Sequence, residues 1–454
     1  MKELNVAPEP IAVDDALARC WGIGKFAHFS SVCTTLRRFT EANVGELGDT
    51  LAALSRPWWM GEVKELAGTD GQGLIVVDLD LSGQPVRGEA KLYEGTAFGY
   101  LGGRLARGYK IAAAFLAGRQ QRWAIGGVLK PGNVNAGACL PELIDLVEAR
   151  VGRPLRRLDW LRQQIDADRA HVAELEGQLK VLAGKGSGPR RKALERRIEN
   201  LKGRIDAACQ RAETYERDNA TCDRPLRILI RADSHFGTVA GLQLLYERGF
   251  EILVKVYNGS QCHSAFAALL ESSWLSVGQK RWAAETFAFP AGQLPPLAPL
   301  RTVALRRQDV DQRIVRSVLV TTLPAEDTPT ATLVELYQQR QSIEAGFQEC
   351  KGTFQFGTPR LRGYYANAAF TQLVLFAFNF LRAAWRWLRR TGPRLNQAGY
   401  RFWVRVAAHC RATVTRLSDI SIVTFATRTP LEGVVLCVTT PFATHAPRTY
   451  SRET

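Results

Sequence analysis

The stretch Leu336-Tyr337-Gln338-Gln339-Arg340-Gln341-Ser342-Ile343-Glu344-Ala345-Gly346-Phe347-Gln348-Glu349-Cys350-Lys351 decides how this chain is read. Leu336, Ile343 and Phe347 recur at helical spacing and predict one helix with a buried stripe. At about 100° per residue, Tyr337, Arg340, Glu344 and Lys351 fall within roughly 60° of one another, on a strip beside that stripe. One carboxylate is thereby flanked by two cations and a phenol. Such a strip suits a phosphodiester, with the acid holding a metal and the cations holding phosphate oxygens. An ordinary solvated face carries the same kinds of charge, so geometry leaves both readings open.

The spacing Tyr-x2-Arg-x3-Glu-x6-Lys resembles the signature of the Y-R-E-K group of bacterial insertion-sequence DDE transposases. The resemblance implies an RNase H-like core in which Glu344 is the third catalytic carboxylate. It therefore demands two aspartates upstream, each at a strand end. Residues 73–83 read as an apolar strand ending in Ser82-Gly83, and a period of two puts Asp78 and Asp80 on one face. Carboxylates where a strand leaves a sheet suit metal binding, and suit a turn equally well. The family's first aspartate is usually followed by x-Thr or x-Ser. Asp80-Leu81-Ser82 fits that, so Asp80 is preferred and Asp78 is kept as the alternative or a supporting residue. Residues 226–237 form a second apolar strand that delivers Asp233 to a loop before a helix. Arg231-Ala232-Asp233-Ser234-His235 resembles the Arg-Gly-Asp-Ser-type motif of one subgroup, with Ala232 in place of glycine. His235 reads as a local hydrogen-bonding residue rather than a metal ligand.

Length and composition agree with a DNA-acting enzyme. The chain has 454 residues, is 46% hydrophobic and carries a formal charge of +16, which favours a polyanionic partner. Nine scattered cysteines without a CxxC pair or Cys/His cluster indicate neither a zinc site nor a disulfide framework. The first residues lack an apolar signal core, and the apolar run 366–381, interrupted by Gln372 and Asn379, reads as a buried helix rather than a membrane span. A cytoplasmic, nucleoid-associated protein is expected.

The predicted fold is α/β: an RNase H-like mixed sheet with a helical-hairpin insertion, a β-rich insertion and helical N- and C-terminal regions. Residues 1–70 form a helical, DNA-binding region. The core occupies 71–154, 222–261 and 326–390. Between its parts lie a helical hairpin with an antiparallel coiled-coil seam at 155–221 and a β-rich insertion at 262–325, and 391–454 is a basic C-terminal region. Trp282 in the β-rich insertion is a candidate for stacking on a flipped base, though such tryptophans are more often core. From Lys351 to Asp419 there is no acid but many arginines, Arg360, Arg362, Arg382 and Arg386 among them, which reads as a phosphate-contacting surface.

The resemblance implies that Asp80, Asp233 and Glu344 hold two Mg²⁺ ions, with Mn²⁺ as a substitute, while Tyr337, Arg340, Lys351, Arg360 and Arg362 hold DNA phosphates. The implied reaction is cleavage at the ends of an insertion sequence and strand transfer into target DNA. The partners are the double-stranded terminal repeats and target, bound by a homodimer away from any membrane. A transposase-derived DNA-binding protein without activity, or a DDE nuclease without strand transfer, would share these residues.

Overall fold

The structure is a computed structural model. It describes residues 27–86, 90–119, 121–182, 188–256, 266–267, 269–286, 300–354, 356–357, 359, 361–391 and the strands 412–417, 420–425, 435–439 and 448–449.

Five strands make the frame of the site: β1 (Leu74–Pro85), β3 (Arg104–Ala117), β4 (Arg122–Pro131), β5 (Arg227–Ala232) and β6 (Glu251–Lys255). Their runs of Ile, Val, Leu and Ala are buried on both faces of the sheet. β1 pairs antiparallel with β3, and β3 with β4; β1 pairs parallel with β5, and β5 with β6. The order β4-β3-β1-β5-β6, three antiparallel strands followed by two parallel ones, is that of an RNase H-like core. A short strand β2 (Ala97–Leu101) extends the free end of β3 as a hairpin.

The parallel strands need crossovers. Helix α3 (Ala136–Arg150) precedes β5, and α6 (Val239–Glu247), capped by Thr238, joins β5 to β6. Leu140, Leu143, Ile144 and Val147 of α3 pack with Ile75, Val77 and Leu79 of β1 on one face of the sheet. Tyr109, Ile111, Ala113 and Phe115 of β3 form a second core on the other face.

The β-rich segment does not stand apart. Its strands β7 (Leu275–Gly278), β8 (Arg281–Thr286), β9 (Arg301–Gln308) and β10 (Ile314–Thr321) continue the main sheet, because β10 pairs antiparallel with β6. The result is one ten-stranded mixed sheet.

Helices α4 (Leu158–Leu182) and α5 (Gly188–Ala220) form the expected hairpin, with Leu161, Ile165, Val172 and Leu175 facing Ile198, Leu201, Ile205 and Ala208. Its base is fused to the core. Arg156 is buried between Glu148 and Asp218, and Trp160 meets Tyr246 edge-on at 5.6 Å.

At the N-terminus, α1 (Phe29–Arg37) is capped by the His28 side chain, and α2 (Glu41–Ala67) by a Thr40/Asn43 capping box. Residues 1–26 of the expected DNA-binding region lie outside the described residues. At the other end the helical expectation holds only through α9 (Tyr364–Thr391). Beyond it β11 (Ala412–Leu417), β12 (Ile420–Phe425), β13 (Val435–Thr439) and β14 (Arg448–Thr449) make a separate four-stranded sheet. The β-branched runs Ala-Thr-Val-Thr and Ile-Ser-Ile-Val-Thr favour strand over helix.

Candidate active site

The sheet register brings the two aspartates level. In the parallel pair, Asp78 lies opposite Arg231 and Leu79 opposite Ala232. One step further along both chains come Asp80, still on β1, and Asp233, just past the end of β5. Asp233 is fixed by the turn it begins. Its Oδ1 accepts from the His235 backbone N–H at 2.9 Å, and its Oδ2 lies 3.1 Å from His235 Nδ1.

The predicted single helix over 336–351 is broken. Helix α7 (Thr330–Gln338) ends in a 3₁₀ turn at Gln339–Gln341, and α8 (Ser342–Thr353) follows. The cause is competition for carbonyls. In a continuous helix Leu336 O and Gln339 O would accept backbone N–H groups four residues on. Here Leu336 O accepts from Arg231 Nη1, and Gln339 O accepts from Arg122 Nη2 at 2.7 Å. Ile343, Phe347 and Cys350 then seat α8 on the β3 face, with Phe347 against Phe115 at 5.4 Å. Glu344 is left on the exposed side of that helix.

Asp78 plays a different part from Asp80. It is fully buried and paired with two arginines. Arg231 donates from Nε to Oδ1 at 2.7 Å and from Nη2 to Oδ2 at 2.9 Å, and Arg122 donates to Oδ2 as well. Those same arginines hold the α7 end and the 3₁₀ turn, so Asp78 is the counterion of a clamp joining β1, β4 and β5 to the turn that carries Arg340. Arg122 did not stand out in the sequence, and Arg231 did so only as part of the motif around Asp233, not as a partner of Asp78. The available signal was Arg231, a cation within an apolar strand that the sheet register sets opposite Asp78 in its neighbour.

Arg340 lies among the acids. Its Nη1 is 3.7 Å from Asp80 Oδ1 and carries no hydrogen bond, although it is buried. Its guanidinium is 6.0 Å from the Tyr337 ring, whose hydroxyl reaches Ala232 O at 3.5 Å. Burial pushes the Asp80 carboxyl above its ordinary range; Arg340 opposes this, while repulsion from Asp233 and Glu344 adds to it. For Asp233 burial acts upward too, but the His235 hydrogen bond and charge, with Arg340, outweigh it and hold Asp233 low. His235 is correspondingly raised by its bond to Asp233. Desolvation lowers Lys351, an effect that the charge of Asp80 partly offsets. Asp80, Asp233, Glu344, Arg340 and Lys351 thus form one electrostatic group.

The model of the transposase DDE domain family matches residues 71–380, well over half of the chain. The chain belongs to that family. A cryo-EM structure of the piggyBac transposase synaptic complex with hairpin DNA is similar over 73% of this chain and 50% of that one, at 12% identity and a TM-score of 0.36. The chain spans half the length of that solved structure, and no residue role is carried over from it. No curated protein matches by sequence.

DDE domains generally use divalent metal ions. The donors here suit a hard cation: carboxylate oxygens that repel one another, with Asp80 raised by its burial. Among the described residues, no three His, Cys, Asp or Glu side chains converge as the ligands of one ion. The cation already beside Asp80 is Arg340.

Asp233 and Glu344 open onto a cleft of about 340 Å³. Lys255 of β6 also lines it, with Arg281, Trp282, Arg306 and Arg307 of the β-rich segment. Arg306 lies 5.2 Å from the Trp282 ring and 4.4 Å from that of Trp274. Of the remaining expected phosphate contacts, Arg362 is exposed and Arg360 lies outside the described residues. Two arginines of the acid-free interval have structural partners instead. Arg382 pairs with Glu349 and covers the Phe378 ring at 3.5 Å, and Arg386 pairs with Glu62. Their acids come from outside the interval, which a local charge count misses.

Proposed function

We propose that this DDE-domain protein is a transposase of the Y-R-E-K group that cuts the ends of an insertion sequence and joins them to target DNA. The observation that carries this reading is the level pair of Asp80, within β1 one residue past its parallel pairing with β5, and Asp233, just past the end of β5, coupled electrostatically to Glu344 on α8. These three carboxylates would hold Mg²⁺, or Mn²⁺, which when bound polarises a phosphodiester as a Lewis acid.

The chain's own side chains supply the rest. Arg340 has a buried Nη1 without a hydrogen-bond partner, a donor suited to a non-bridging phosphate oxygen. Tyr337 supports that guanidinium from below, and Lys351 adds a second cation on the same side. His235 orients Asp233. Trp282 offers a ring on which a base drawn from the duplex could stack, with Arg281, Arg306 and Arg307 toward its phosphates. Arg360 and Arg362 would contact phosphates further along. The N-terminal helices would bind the terminal repeats and a homodimer would pair the two ends, in the cytoplasm where bacterial DNA lies.

Asp80→Ala, Asp233→Ala and Glu344→Ala should each abolish cleavage of a terminal-repeat duplex in Mg²⁺ while leaving its binding within about threefold of wild type. Cleavage at a normal rate by any of the three removes that residue from the site. Binding without cleavage by the wild-type protein, in either metal, would favour a DNA-binding protein descended from a transposase.

A further inference from the structure

The end of the β2–β3 hairpin carries side chains that the core does not use. Gly102 and Gly103 turn it tightly, with φ of +61° and +88°. Phe98, Tyr100 and Leu105 are 63%, 70% and 75% exposed, unusual for such residues on one short hairpin. Register shows that they share a face. Phe98 pairs with Arg107 and Tyr100 with Leu105, and the Arg107 guanidinium sits 5.8 Å over the Phe98 ring.

That face is the one bearing the acids. Along β3, Leu105, Arg107, Tyr109, Ile111 and Ala113 alternate onto one side, and Ala113 lies opposite Asp80. Helices α8 and α9 cover this side as far as Tyr109, which meets Tyr364 at 6.0 Å. The strip lies just beyond that cover.

Its charge has one sign. No acidic residue occurs between Glu94 and Glu142, whereas Arg104 and Arg107 lie on the hairpin itself. Glu94 turns back, its carboxylate accepting from the Tyr364 N–H at 3.2 Å. A basic strip on a chain of net charge +16 disfavours a second copy as occupant and favours a polyanion.

We propose that this strip seats in the minor groove of the duplex whose phosphate is held at the acids. Phe98, Tyr100 and Leu105 would lie against sugars and the groove floor, and Arg104 would reach a flanking phosphate. From Ala113, Arg107 is six residues and Leu105 eight residues away along β3. At about 3.3 Å per residue that is roughly 20–26 Å, or about six to eight base pairs from the scissile phosphate. The proposal rests on the transposase reading of the acid site.

The test combines a photoreactive phenylalanine at Tyr100 with the double variant Phe98→Ser/Tyr100→Ser. Crosslinks should fall about six to eight base pairs to one side of the cut. The double variant should bind a long duplex about tenfold more weakly. It should match wild type on a duplex trimmed to four base pairs on that side, with an unchanged thermal midpoint. Equal binding of the long duplex by variant and wild type would overturn the proposal. So would a wild-type dimer that the variant converts to monomer without loss of DNA binding, which would make the strip a contact between copies. Cleavage without the crosslink refutes the strip alone, and the crosslink without cleavage refutes only the catalytic reading.

Discussion

Arg340 and Asp78 are both charged residues at the acid site, yet their surroundings give them opposite tasks. Arg340 has a donor to spare beside Asp80, whereas both Asp78 oxygens already accept from Arg231 and one of them from Arg122 as well. A lysine in place of Arg340 keeps the charge but loses the planar fork and the stack over Tyr337. Arg340→Lys is therefore expected to slow cleavage of a defined end on the order of 100-fold, the cost of a misplaced reactive phosphate. A wild-type rate would make Arg340 a bystander. Asp78→Asn leaves Arg231 buried beside a neutral partner, and breaking a buried pair in this way costs about 3–5 kcal/mol. It should lower the unfolding midpoint in denaturant with metal affinity otherwise preserved, whereas Asp80→Asn should weaken metal affinity and leave the midpoint nearly unchanged. The reverse pattern would transfer the ligand role to Asp78. The sequence offered both aspartates on one face of a strand, where periodicity treats them alike and only the resemblance of Asp80-Leu81-Ser82 to the family's spacing preferred Asp80. The choice lies in Arg122 and Arg231, distant in the chain and brought to Asp78 by the sheet.

Periodicity located the strands and helices around the site because each buries one continuous apolar stripe or run. It was less informative where polar side chains bond the backbone of another element. The 3₁₀ break before Ser342 is of this kind, since two arginines from other strands take the carbonyls of the helix. Helix α9 shows the same effect with a different outcome. Gln372 and Asn379 look like interruptions of an apolar run, but they are what docks it. Asn379 accepts from the N–H of Ala124 and donates to its carbonyl, both at 2.8 Å, and Gln372 donates to Gly127 O at 2.8 Å. Strand β4 pairs with β3 on its other side, so these carboxamides bond its outer edge. Asn379→Leu preserves size and apolarity yet strands two buried backbone groups, at about 1–3 kcal/mol each. Denaturant unfolding should show a loss of about 2 kcal/mol or more, and an unchanged midpoint would mean that water replaces the carboxamide. In the acid-free interval the same effect touches two arginines, because Glu349 and Glu62 reach Arg382 and Arg386 across the fold.

The helical hairpin raises the question of where the core ends. Its seam of Leu, Ile and Val suggests a self-contained unit, and by sequence alone residues 156–218 could be exchanged for a short linker. The base of the hairpin argues otherwise. Arg156 donates to Glu148 and Asp218, Arg248 joins through Glu148, and Arg211 reaches Glu247 at 2.9 Å. Asn219 closes the pair of chains by bonding both the N–H and the carbonyl of Arg156. Removing residues 156–218 would leave Glu148 and Arg248 without their shared partner and expose the faces of Tyr246 that Trp160 and Arg157 cover. Removing only residues 166–208 keeps Trp160, Arg211, Tyr215 and Asp218 and cuts through the seam alone. We therefore expect the shorter deletion, closed with Gly and Ser, to unfold cooperatively near the wild-type midpoint, and the longer one to aggregate or unfold several degrees lower. Thermal unfolding followed by circular dichroism, with gel filtration, separates the cases. If the shorter deletion also aggregates, the distal coiled coil supports the core through contacts beyond its base. If the longer one folds normally, the buried Arg156 network contributes no stability. With the shorter variant folded, single-end binding should persist while assembly of paired ends falls, because a hairpin of two long helices joined to the core at its base is suited to bridging protomers. Paired-end assembly at the wild-type level would remove that role.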